Sequence, residues 1–124
     1  LFALGLLLTV SCTKDAGFGG LSSVSGKVYA KDFTPNNDIE PEAEGYTADM
    51  KVVLSVKESG RVLKETRTDI NGDYKFEELR KGNYQIWTFT ECDKCTNNEE
   101  AVIQEFEITE RKEDIVLADF QINI

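Results

Sequence analysis

Asp69-Ile70-Asn71-Gly72-Asp73-Tyr74-Lys75-Phe76-Glu77-Glu78-Leu79-Arg80-Lys81-Gly82-Asn83-Tyr84 is the stretch that decides the fold. Asn71-Gly72 lies between two strand-like runs and is a strong hairpin signal: glycine accepts the positive φ of a tight turn, and the Asp69 and Asn71 side chains can bond the turn backbone. Tyr74 and Phe76 alternate with polar neighbours, the period of a half-buried strand, and fill the core beside Leu79. Lys81-Gly82-Asn83 is a second turn that returns the chain into Tyr84. These are structural duties, so the stretch reads as a fold signature more than as a site.

The same period continues on both sides. Upstream, Val24, Val28 and Ala30 supply a first strand; Met50, Val52, Leu54 and Val56 share one face of another, which Ser59-Gly60 closes, and Val62 to Thr68 follows. Downstream, Tyr84, Ile86 and Thr88 alternate with Gln85, Trp87 and Phe89. Val102, Phe106 and Ile108 share a parity with Gln104 as the polar exception, and Val116, Ala118, Phe120 and Ile122 share the last. Short strands separated by turns, without a convincing helix, predict an all-β fold, a seven-stranded antiparallel β-sandwich over residues 24–124. The one long connection, Phe33 to Thr47, holds Pro35, Pro41 and four acids, and is read as a solvated acidic insertion.

Composition narrows the function. Among 124 residues there are 14 Lys and Arg against 23 Asp and Glu, a formal charge of −9. Such a chain repels phosphate backbones, so a nucleic-acid partner is not expected. The histidine count is 0, which removes Ser-His-Asp and Cys-His catalysis and the commonest metal ligand.

Residues 1–11 form an uncharged apolar run ending at Cys12, too short to span a bilayer and similar to the core of a signal peptide. Ser11 before Cys12 resembles the lipobox of bacterial lipoproteins, in which that thiol becomes acylated; Thr9 departs from the usual Leu of that motif. The expectation is a signal remnant over 1–11, then a lipidated Cys12 heading a flexible Gly/Ser-rich tether over 12–23.

The pattern D-x-N-G-x-Y-x-F-x-x-L-x-x-G-x-Y across Asp69 to Tyr84, with Ser25-Gly26-Lys27-Val28 upstream, resembles carboxypeptidase regulatory-like domains and the related Cna-B and Sdr-B repeats of bacterial surface proteins. The resemblance implies a transthyretin-like (prealbumin-like) sandwich. It also brings in members that hydrolyse 5-hydroxyisourate with histidines this chain lacks, and Cna-B domains with a Lys-Asn isopeptide bond. Lys27 or Lys31 with Asn123 could imitate that bonded pair, but the strand from Tyr84 carries no inward acid to promote it.

Three constellations are candidate sites. Cys92-Asp93-Lys94-Cys95 can be a redox dithiol, half of a zinc site or a local disulfide; with no further soft ligands, and in an exported chain, the disulfide leads. Asp69, Asn71 and Asp73 reproduce the opening of a calcium loop. Arg80 occupies its twelfth position, which excludes an EF-hand and leaves a looser calcium site beside the plain turn. Trp87 and Phe89 share a face that can stack on a sugar or dock a protein, unless another segment covers it. The function expected is a non-enzymatic, exported, lipid-anchored module of the outer membrane, periplasm or cell surface. Its partners would be the membrane, through the anchor, and a protein or glycan; the alternative is a carbohydrate- or calcium-binding accessory module.

Overall fold

In the computed structural model, which describes residues 16–33 and 40–124, the alternating runs form nine strands. They are β1 (Phe18–Asp32), β2 (Ala43–Tyr46), β3 (Lys51–Val56), β4 (Val62–Arg67), β5 (Asp73–Leu79), β6 (Gly82–Glu91), β7 (Glu99–Ile108), β8 (Asp114–Val116) and β9 (Phe120–Asn123). One sheet is built on β1, flanked by β2, β5, β8 and β9; the other has the order β4-β3-β6-β7. Their inner faces bury Val24, Val28, Val52, Leu54, Phe76, Leu79, Ile86, Ile108 and Phe120, so the expected all-β sandwich is present.

The count rises from seven because the Phe33–Thr47 connection returns as β2 against β1, and because the last apolar run breaks in two. Ile115 and Leu117 pack on the core while Val116 is exposed; the alternation then shifts, and Phe120 and Ile122 are buried. Both pieces run parallel to β1, an arrangement that alternation does not signal.

The Asn71-Gly72 turn is not a hairpin between paired strands. β4 belongs to one sheet and β5 to the other, so the turn arches across the sandwich. Its geometry is fixed locally and from β1: Gly72 has φ 79°, its N–H bonds the Asp69 carbonyl, and its carbonyl accepts from Val28 N–H at 2.9 Å. β5 then pairs with β1, placing Gly26 opposite Tyr74. A Cβ at Gly26 would lie 2.4 Å from the Tyr74 hydroxyl, so only glycine admits that ring, which packs on Phe76 and Phe120.

The expected tether over 12–23 differs from the structure where it is described. β1 begins at Phe18, and residues 18–23 lie within it. Long-range bonds hold this Gly/Ser stretch. Arg80 N–H donates to the Gly17 carbonyl at 2.8 Å and the Arg80 guanidinium to the Phe18 carbonyl at 2.7 Å. The buried Tyr84 hydroxyl accepts from Gly17 N–H at 3.0 Å and donates to the Arg80 carbonyl at 2.6 Å. Cys12 and the apolar run before it lie outside the described residues.

Candidate functional site

Period-2 alternation sends Gln85, Trp87 and Phe89 of β6 to the outer face of the second sheet, opposite Tyr84, Ile86 and Thr88. Register places Trp87 between Val53 of β3 and Ile103 of β7, and Phe89 beside Ala101. Val53 is buried, Trp87 and Phe89 are half-buried, and Ile103 is 53% exposed, so an apolar band crosses this face. A polar row runs beside it: Gln85 donates to Glu105 at 3.0 Å, and Lys57 meets the same carboxylate at 3.2 Å. Those bonds, Gln85 first, hold the Glu105 carboxyl below its ordinary range. Phe89 also lines a shallow cleft of about 450 Å³ with Met50, Thr88, Asn123 and Ile124. The end of the acidic connection, β2, lies on the other sheet and does not reach Trp87.

Asp69, Asn71 and Asp73 are brought together by the arch turn. Asp69 Oδ1 accepts from Asn71 N–H at 2.8 Å and from Asp73 N–H at 3.0 Å, the side-chain-to-backbone bonds that make Asp a turn residue. Asp73 meets Lys27 Nζ at 2.7 Å. Asp69 therefore serves the turn backbone, and a lysine sits at Asp73.

Sequence reasoning missed a second exposed cluster, on the outer face of the β1 sheet. Tyr29 and Tyr46 are cross-strand partners and meet edge-to-face at 5.3 Å; Tyr29 donates to Glu44 at 2.7 Å and Tyr46 to Asp119 at 2.8 Å. Lys27 Nζ lies 5.0 Å from the Tyr46 ring centre. The available signal was the outward parity of Lys27, Tyr29 and Lys31 on β1. These bonds tie β2 to β1 and the β8–β9 connection to β2, and leave each phenol hydroxyl engaged.

In the β6–β7 connection Cys92 and Cys95 are bridged, with Cα atoms 5.4 Å apart, and the Glu100 carboxylate lies 3.9 Å from Cys95 Sγ. Among the described residues these three form the group of Cys, Asp or Glu ligand atoms within 4.8 Å of one another. Lys31 is the register partner of Asn123 on β9, while Lys27 is engaged by Asp73. Among the described residues no helix is long and apolar enough to cross a membrane.

The family model for the SdrD B-like domain matches residues 22–113, well over half of the sequence. The chain belongs to the SdrD B-like domain family. The expected Sdr-B and Cna-B kinship is thus shown, and the match runs through the arch turn at Asn71-Gly72 and the turn at Lys81–Asn83. Two relatives, both serine-aspartate repeat-containing protein F of Staphylococcus epidermidis, one from strain ATCC 12228 / FDA PCI 1200, are 35% identical over 74 residues. That stretch is 60% of this SdrD B-like domain chain and 4% of either relative's length. A solved structure from Pseudomonas aeruginosa, of a protein described as a candidate carbohydrate-binding protein, shares the fold. Its TM-score is 0.54 at 15% identity, over 88% of this chain and 93% of that one.

Proposed function

We propose that this SdrD B-like domain is a non-enzymatic structural module of an exported surface protein, anchored through a lipid on Cys12 and built to resist tension along its length. One observation carries the reading. β1 and β9 lie side by side and parallel, with Val28, Tyr29, Ala30 and Lys31 opposite Phe120, Gln121, Ile122 and Asn123. Ile124 N–H then bonds the Lys31 carbonyl at 2.9 Å, at the far end of β1 from Gly17. Tension between these ends slides β1 and β9 past each other, so every bond of the ladder is loaded at once instead of being peeled in turn. β8, also parallel to β1, adds a second ladder in the same sense.

Two experiments test the reading. Labelled palmitate incorporation should depend on Cys12; equal labelling of Cys12→Ala removes the anchor. In single-molecule extension, pulling between handles at Ala16 and Ile124 should give a higher rupture force than pulling between Ala16 and Gly60, which does not shear the β1–β9 ladder. Equal forces remove the tension-bearing role.

A second reading, glycan binding, is favoured by the half-exposed Trp87 in its apolar band beside Gln85 and Glu105. A glycan-array signal abolished by Trp87→Ala supports it, and an array without signal removes it.

A further inference from the structure

β7 is the outermost strand of its sheet, and among the described strands it pairs with β6 alone. Proteins blunt such edges by shortness, bulges, proline or charged side chains. The other edges here follow that rule: β2, β8 and β9 are 4, 3 and 4 residues long, and the pairings of β4 and β5 contain register shifts. β7 carries only the charges. Its 10 residues pair with β6 in unbroken register from Glu91–Glu99 to Gly82–Ile108, and it contains no proline. Every second residue of an edge strand points its N–H and C=O away from the sheet.

The side chains along this edge are selective. Gln104, on the inner side, donates to the Ala118 carbonyl at 3.0 Å and closes that side against the other sheet. The outer side presents Glu99, Ala101, Ile103, Glu105 and Glu107 in order, all exposed. Glu105 meets Lys57, whereas Glu99 and Glu107 make no ion pair among the described residues. Carboxylates in this row repel a second β7 and any acidic strand, and attract a cationic one. Ile103 continues the band from Val53 through Trp87, and an added strand would extend it.

We infer that β7 is a strand-addition site for an extended basic segment of a partner protein. Its cationic residues lie opposite Glu99, Glu105 and Glu107, and its small or aliphatic residues opposite Ala101 and Ile103. This does not depend on the anchor or on the tension-bearing role.

The test uses the whole chain and synthetic peptides in which Lys, Ala, Val, Lys and Lys alternate with Thr, made in both chain directions. One direction should bind saturably by calorimetry and weaken with added salt. Replacing the peptide lysines by Glu, or Glu99 and Glu107 by Lys in the protein, should weaken binding by at least about tenfold, with thermal unfolding of the variant unchanged. N-methylation of alternate peptide amides should abolish binding in one register and spare it in the other, because only one set faces β7. No saturable binding in either direction overturns the inference. So does equal binding of both N-methylated peptides, which leaves only charge attraction. Self-association of the free protein that Glu99→Lys/Glu107→Lys removes gives the edge to a second copy and overturns it as well.

Discussion

Two tyrosines of the fold-deciding stretch look alike in sequence and differ in what their hydroxyls do. Tyr84 Oη joins Gly17 to Arg80, while Tyr74 Oη is buried without a hydrogen-bond partner. Tyr84→Phe leaves a backbone donor and acceptor unsatisfied and should cost about 1–3 kcal/mol in urea unfolding, with faster amide exchange over residues 17–20. Tyr74→Phe removes a polar group that gains nothing inside, and should be neutral or stabilising in the same measurement. Burial raises both phenol pKa values above the ordinary 10.0. The unfolded chain therefore loses these protons first, and stability should fall as pH rises through and above 10. The fall should be shallower in Tyr74→Phe. The sequence showed both residues as core aromatics; the partners of their hydroxyls come from chain positions far away, which no local pattern carries.

At the level of the strands, alternation located β3, β4, β6 and β7 because each turns its apolar parity to the core; on β3 the opposite face is buried as well, at Val53 and Ser55. The alternation itself breaks where a strand changes parity, although Leu79 lies, as expected, in the core beside Tyr74 and Phe76. In β5, Phe76 and Leu79 are both buried although three residues apart, and the register with β1 steps from Val24–Phe76 to Ser22–Leu79. Glu78, at φ 60°, absorbs the extra residue as a bulge. Glu78→Gly should be tolerated or stabilising, and Glu78→Val, β-branched in a left-handed conformation, should cost about 1–2 kcal/mol by thermal unfolding. The start of β1 has the composition of a tether because Gly and Ser have no strand preference of their own; Arg80 and Tyr84 override that composition. In the β6–β7 connection, native unreduced protein should resist thiol alkylation at Cys92 and Cys95. Breaking so short a loop by Cys92→Ser/Cys95→Ser should cost about 2 kcal/mol at most. Rapid labelling before reduction removes the bridge.

For the molecule as a whole, the charge of −9 excluded functions in the sequence and acquires a position in the structure. Among the described residues its acids are exposed or half-buried, and one row follows the open edge of β7. The candidate residues were legible as types, but neither the edge nor the tyrosine cluster was, since both depend on which strands are neighbours. The course of β1 has one more consequence. Gly17 and Ile124 lie at its two ends, separated by up to about 45 Å at strand rise. A circular permutant therefore needs a linker of roughly a dozen extended residues to rejoin them, and shorter ones should fail to close. Copies fused head to tail, by contrast, advance by nearly the full length of β1 each time without the chain doubling back.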